Sequence, residues 1–323
     1  MAEYVKCNVC GHQNGEFLFK NKDRFYGCPG KFNVYRCPQC GLIYLNPRPQ
    51  DMTIYYPSSY EPYAIQPQKD YYQFLFQNLC HAYYQKHRTI IDQIKALCYQ
   101  ILYPAIPLKY QGKILDLGCG TGAFLYHLKK QGWDVYGLEW SQRAVQFARE
   151  KLKLKNVREG KIEELKYPPE FFDVITMQHV IEHLEDPKAI LKKIHQILRP
   201  QGLLLITTPN AAALNFQLFK QYWFDLETPR HLHLFNPFNS QKLAHTTGFS
   251  IQKTHYEIST CHFLRSLGYR FQSNYENILY KIASLPLALL LAVLKKSDVV
   301  TYYLQKVSHK ERKNFLIDKN YME

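Results

Sequence analysis

The sequence predicts an α/β protein: one seven-stranded doubly wound sheet behind a small N-terminal ribbon. Three observations carry that expectation. Between residues 113 and 207, short apolar runs alternate with segments whose apolar residues recur every three or four positions, the pattern of parallel strands joined by crossover helices. The first run, Lys113 to Leu117, passes without a spacer into Gly118-Cys-Gly-Thr-Gly122, which reads as a strand, a tight glycine turn and the start of a helix. Two C-x-x-C pairs, Cys7 with Cys10 and Cys37 with Cys40, are each followed by a glycine and mark a separate metal-stapled unit.

Composition sets the bounds. The 323 residues suffice for one large domain and an appendage, and 46% hydrophobic with 21% charged residues describes an ordinary globular chain. No apolar core follows Met1, and the longest apolar run, Ile282 to Leu294, is 13 residues long and holds Pro286, too short to span a bilayer. Nine cysteines without a leader segment point to a reducing compartment, the cytoplasm, with some contact at the membrane periphery as an option. The net charge of +14 favours an acidic partner: a phosphorylated or nucleotide-linked substrate, an anionic membrane surface or nucleic acid. A solvated lysine-rich surface explains it equally well.

Taken in order, residues 1–48 form the ribbon. Four thiolates, Cys7, Cys10, Cys37 and Cys40, satisfy a tetrahedral structural zinc, and Cys28 and His12 are then bystanders. Such a closed site offers no position to a substrate, so the metal is expected to staple the ribbon, and its loss to leave the chemistry elsewhere intact. Residues 49–110 follow as an aromatic connector and a helical cap. From Tyr71 to Leu102 a helical pattern runs through Leu75, Leu79, Ile90, Ile94, Leu97 and Ile101, with Tyr72, Phe76, Tyr83 and Tyr84 as a packing stripe, until Pro104 and Pro107 end it. The main domain is expected over 111–305. Its strands are Lys113 to Leu117, Asp134 to Leu138, Asn156 to Glu159, Phe171 to Met177, Leu203 to Thr207, Ser250 to Tyr256 and Asp298 to Gln305, with helices between. Residues 261–297 read as an apolar insertion, in which Leu285 to Leu294 is either a buried helix or a shallow lipid contact, and 306–323 as a basic tail.

The ligand chemistry starts at the glycine turn, where bare backbone and a helix N-terminus meet a ligand. The glycines are spaced G-x-G-x-G, and Asp116 lies two residues before the first of them. A carboxylate there repels a pyrophosphate and suits an ammonium group. Glu139, 21 residues after Gly118 at the end of the second strand, can accept hydrogen bonds from both hydroxyls of a ribose. This constellation resembles the cofactor site of the class I S-adenosylmethionine (SAM) methyltransferases, whose sheet is Rossmann-like and slots an antiparallel last strand between the fifth and sixth, here Asp298 to Gln305. The resemblance implies Asp116, Gly118, Cys119, Gly120, Gly122, Glu139, Trp140, Ile162 and Gln178 as SAM contacts. Lys161 stands where many relatives carry an adenine-binding acid, which leaves adenine to backbone groups and Ile162.

Farther on, Glu182-His183 and the later Arg230-His-Leu-His-Leu-Phe235 resemble the ubiquinone-pathway O-methyltransferase group. More distantly they resemble the small-RNA 2′-O-methyltransferases, which hold a divalent metal on such residues. His179 replaces that second family's first glutamate. The implied chemistry needs an aligned hydroxyl and a proton acceptor. His231 or His233 is the candidate general base, and a divalent metal on Glu182, His183 and His233 is the second reading. Trp223 and Phe224 are expected in a lid. The acceptor is a small or carrier-linked hydroxyl compound: a sugar, a quinone precursor or a lipid-linked glycan, anionic in keeping with the charge. Alternatives are C- or N-methylation in a deoxysugar or natural-product pathway, methylation of RNA, and a SAM-binding scaffold without turnover. Only six cations, Lys6, Lys20, Lys22, Arg24, Lys31 and Arg36, lie in residues 1–45, which weighs against nucleic acid.

Overall fold

The computed structural model describes residues 4–57, 71–85, 89–275 and 277–307, and for 71–77 the backbone alone. The connector from residue 58 to Pro67, the side chains of Tyr72, Leu75 and Phe76, and the tail beyond Val307 lie outside the described residues. Two sheets organise the chain. Seven strands form the larger one: β4 (Lys113–Leu117), β5 (Asp134–Glu139), β6 (Val157–Glu159), β7 (Phe172–Gln178), β8 (Leu198–Pro209), β10 (Phe249–Tyr256) and β11 (Val299–Lys306). Their spatial order is β6-β5-β4-β7-β8-β11-β10. The first five run parallel, and β11 inserts antiparallel between β8 and β10. The seven-stranded sheet and its antiparallel last strand are as the sequence predicts. β8 begins five residues earlier than expected, at Leu198, directly at the end of its preceding helix.

Helices α3 (Ala123–Lys130), α4 (Gln142–Glu150), α5 (Pro187–Ile197) and α7 (Pro237–Thr247) cross between strands, and the short α6 (Leu214–Phe219) follows β8. Their starts are written locally: Ser141, Asp186 and Asn236 each accept a backbone N–H of the first turn, and Pro187 and Pro237 open their helices. Apolar clusters fill both faces of the sheet, one around Leu117, Met177 and Ile206, the other around Ile114, Leu125 and Val174.

Two expectations need correction. The helical stretch from Tyr71 to Leu102 is two helices, α1 (Tyr71–Tyr84) and α2 (Ile90–Leu102). A reciprocal capping box of Thr89 and Asp92 starts the second and breaks the run. The apolar insertion is also a pair, α8 (Cys261–Phe271) and α9 (Ile278–Val293). α9 is not a buried helix: only Ser284, Ala288 and Leu291 are buried in it.

The smaller sheet is β1 (Glu16–Asn21), β2 (Phe32–Arg36), β3 (Ile43–Leu45) and β9 (His233–Leu234), in that order. Its fourth strand comes from 190 residues downstream, with Tyr44 opposite His233 and Ile43 opposite Leu234. Phe32, Val34, Ile43 and Leu45 pack with Trp223, Leu226, Leu232 and Leu234 into a third core. The ribbon is thus welded to the segment after β8.

Candidate functional site

Asp116 ends up buried inside β4, where the Thr176 hydroxyl of β7 donates to its Oδ1 at 2.6 Å. Burial pushes this carboxyl up to about 7, the charge of Glu139 adds to the rise, and the bonds from Thr176 and Gln178 oppose it. Gly118, Gly120 and Gly122 all have φ between 52 and 78°, a region that penalises a side chain. A Cβ on Gly118 would lie 2.6 Å from Val180 Cγ2, and one on Gly122 2.7 Å from Leu154 Cδ1. Across the turn, Glu139 closes the loop. Its Oε2 accepts the Gly120 N–H at 2.9 Å and its Oε1 the Ser141 N–H at 2.8 Å. Cys119 is buried against Gly137, the residue two before Glu139. Trp140 is 42% exposed beside Glu139, and its ring meets Tyr56 edge-on at 5.9 Å. Ile162 sits half-buried in a short 3-10 turn, and Gln178 is exposed at the end of β7.

These residues fit SAM. A buried carboxylate faces the need for an ammonium partner, three side-chain-free turn positions let backbone approach, and Glu139 offers two carboxylate oxygens now held by backbone N–H groups alone.

Beyond β7 the chain makes a tight turn. His179 takes φ 53°, and residues 181–183 form one 3-10 turn. Glu182 is fully buried. The Thr208 hydroxyl donates to its Oε2 at 3.0 Å, while Oε1 has no hydrogen-bond donor among the described residues and an ion contact with His179 Nδ1 at 3.4 Å. His179 is half-exposed, and the partial loss of water would lower its pKa, but the adjacent carboxylate of Glu182 outweighs this and raises it to about 9. Burial likewise opposes ionisation of Glu182, and His179 prevails, holding its pKa at about 2. This pair is therefore ionised at neutral pH. His183 differs: burial and the neighbouring His231 lower it to about 4, so it is neutral.

The loop after β8 completes the cluster. His231 Nδ1 lies 2.7 Å from the Asp225 carbonyl and His183 Nδ1 3.0 Å from the Arg230 carbonyl. A carbonyl can only accept, so both Nδ1 atoms carry a proton, and in the neutral form of either ring the lone pair is on Nε2. The rings stand edge-on at 4.7 Å, and one ligand atom each from Glu182, His183 and His231 lies within 4.8 Å of the others. The Tyr56 hydroxyl is 3.1 Å from His183 Nδ1.

His233 is not in this cluster. Leu232 bends the chain between the two histidines, and His233 enters β9 fully buried, its Nε2 receiving the Arg48 guanidinium at 2.6 Å. Burial and that cation push its pKa well below the ordinary histidine value. A ring so enclosed is badly suited to serve as a base, and the third member beside Glu182 and His183 is His231. Trp223 is no lid residue: it is 1% exposed, and its Nε1–H donates to Asp298 at 2.7 Å.

Sequence reasoning missed the frame that holds the loop. Arg230 is fully buried. Its Nη1 and Nη2 donate to the two oxygens of Asp23 in the ribbon at 2.9 Å each, and its Nε donates to Glu227 at 2.7 Å. Glu227 Oε2 in turn lies 3.6 Å from His231 Nε2. Asp23 also accepts the N–H groups of Phe25, Tyr26 and Cys28. The one clue in the sequence is an acid in the long β1–β2 loop, which does not say what it meets.

In the ribbon, the sulfurs of Cys7, Cys10, Cys37 and Cys40 lie within 4.8 Å of one another, with Cys7–Cys40 at 3.5 Å and Cys10–Cys37 at 3.4 Å. Four thiols so gathered fit a tetrahedral zinc with metal–sulfur bonds of about 2.3 Å. Neither Cys28 nor His12 belongs to the group.

The model of a family described as "Methyltransferase domain" matches residues 84–254. A probable S-adenosylmethionine-dependent methyltransferase of Mycolicibacterium smegmatis is 27% identical over 157 residues, 48% of this chain and 59% of that protein. A ubiquinone biosynthesis O-methyltransferase of Cereibacter sphaeroides is 32% identical over 117 residues, 35% of this chain and 47% of that protein. The chain thus spans about half the length of the curated relatives it matches. Among solved structures, an S-adenosylmethionine-dependent methyltransferase from Mesorhizobium loti aligns with a TM-score of 0.46 at 19% identity, covering 62% of this chain and 94% of that one.

Proposed function

As the chain belongs to the methyltransferase-domain family, we propose that it transfers the methyl group of SAM to a hydroxyl of a small or carrier-linked acceptor. The observation that carries this reading is the meeting of Glu182, His183 and His231 at the turn that follows β7, one strand over from Asp116 and the glycine turn. The sulfonium of SAM is already activated, so the protein has to align an oxygen with the methyl and take its proton. His231 supports that role: the Asp225 carbonyl holds its Nδ1–H, and Nε2 keeps the lone pair that accepts a proton. Glu227, fixed by Arg230, limits how that ring can turn. The ionised His179–Glu182 pair adjoins this ring and would offer an acceptor hydroxyl both a donor and an acceptor.

A second reading has its own observation. Both rings spend Nδ1–H on backbone carbonyls, the arrangement that presents Nε2 to a metal, and Glu182 Oε1 has no hydrogen-bond donor among the described residues. Glu182, His183 and His231 would then hold a divalent cation, which when bound lowers the pKa of a coordinated hydroxyl.

The test uses methyl-labelled SAM with metabolite extract and with a panel of hydroxylated acceptors. Wild-type protein should label an acceptor, and His231→Ala should lower the rate by about 10²- to 10⁴-fold with SAM affinity retained by calorimetry. Absence of SAM binding overturns the cofactor reading. Full turnover in His231→Ala overturns the role of that ring. Inhibition by a chelator that leaves the ribbon's melting unchanged, reversed by a divalent cation, selects the second reading.

A further inference from the structure

α9 is inverted relative to an ordinary surface helix. The stripe it turns to the protein is small, Ser284 and Ala288 with Leu291. Outward it presents Ile278, Leu279, Ile282, Leu285, Leu289, Leu290, Val293 and Leu294, exposed by 44 to 78%. From Ile282 to Leu294 the one polar side chain is Ser284, and that faces inward. An exposed apolar surface of this extent marks an interaction site.

We propose that α9 docks this protein onto an anionic lipid surface, lying in the interface with its outer face among the acyl chains. Three features select a bilayer over a protein partner. Protein interfaces are rich in aromatic residues and arginine and carry a hydrogen bond per 100–200 Å², whereas this face is aliphatic and offers hydrocarbon alone. Apart from the Ile282 carbonyl, which Pro286 has no N–H to serve, its backbone bonds are made within the helix, as entry into lipid demands. Its charge is complementary: Lys281 lies on the helix and Lys295 and Lys296 follow it, with no acid between Asn277 and Ser297.

The helix rests on the surface and does not cross: its 16 residues span roughly 24 Å, and no helix among the described residues is long and apolar enough to traverse a membrane. α9 is also tethered near the Glu182 cluster. The Lys296 carbonyl accepts the Leu214 N–H, and the Ser297 carbonyl accepts the Asn210 side chain, two residues after the Thr208 that donates to Glu182. Lipid docking would therefore bring the strand ends of the site close to a membrane-borne acceptor. The docking itself does not depend on how the cleft is read.

The experiment is flotation of the full chain with vesicles of phosphatidylcholine holding ~30% phosphatidylglycerol, against pure phosphatidylcholine and at ~500 mM salt. Wild-type protein should float with the anionic vesicles. The pair Leu290→Glu and Val293→Glu should cut partitioning at least about tenfold with thermal melting unchanged. Lys295→Glu with Lys296→Glu should abolish the preference for anionic lipid. Failure of the wild type to float, or undiminished flotation of the Leu290→Glu, Val293→Glu chain, overturns the proposal. So does a dimer in sedimentation that those two substitutions dissociate, since the face would then belong to a second copy.

Discussion

Asp116 carries a pH signature of its own. Buried and pushed up to about 7, it is protonated over much of the acidic range, whereas an ammonium ligand binds its ionised form. Apparent SAM affinity should consequently fall by about tenfold per pH unit below 7 and level off above roughly 8. Glu139 is raised too, by burial, and deepens the fall. Asp116→Asn should weaken SAM binding at alkaline pH and remove most of the slope, and calorimetry between pH 5.5 and 8.5 measures both. The stability sign is opposite to that of a paired acid. A carboxyl whose folded pKa exceeds its unfolded one stabilises the fold while protonated, and that contribution is lost as pH rises from about 4 through 7. Affinity and stability of the ligand-free chain should thus move in opposite directions across this window.

At the scale of elements, the turn between β4 and α3 is the least replaceable piece. Gly118 combines a φ of 70° with a Cβ position 2.6 Å from Val180. Val180 opens the turn that carries Glu182, so one methyl would disturb the glycine turn and the Glu182 turn together. Gly118→Ala should cost about 1–2 kcal/mol from the left-handed backbone alone, read as a lowered melting temperature, and should weaken SAM binding. Gly11 also has positive φ, but a Cβ there would meet nothing within 4 Å. Gly11→Ala should pay the backbone term and leave SAM affinity unchanged, which separates the two contributions.

For the whole molecule, the consequence lies in how the ribbon is attached. A ribbon acting as a separate staple would be dispensable to the chemistry, as its closed four-thiol site suggests from sequence. Here β3 pairs with β9, and Asp23 holds Arg230, which holds Glu227 beside His231. Releasing the ribbon also strips a buried arginine of its main partner, a loss of the order of 3–5 kcal/mol for such pairs. The double variant Cys37→Ser, Cys40→Ser should lose turnover by at least about tenfold while SAM still binds, since the Asp116 and Glu139 cradle touches no ribbon residue in the hydrogen bonds described. Turnover at the wild-type rate would show that the ribbon and the reactive loop are uncoupled.

Much of this was legible in the residues. Strand and helix alternation, the glycine turn, its acid at 116 and the acid ending β5 follow from local periodicity and from backbone geometry that few residues tolerate. The four-cysteine set is legible for the same reason, because C-x-x-C spacing is itself a chelate geometry. Choosing His231 over His233 was beyond the sequence, because a single bend at Leu232 decides which of two neighbouring rings reaches Glu182 and which is sealed against Arg48. The Asp23–Arg230 pair joins residues 207 apart, and the exposed side of α9 depends on which stripe its neighbours cover. Sequence by itself determined the fold and the cofactor cradle, whose signals are short-range. Only the tertiary structure decided which histidine meets Glu182, what braces it and which apolar face stays open, because those are contacts between segments with no local period to betray them.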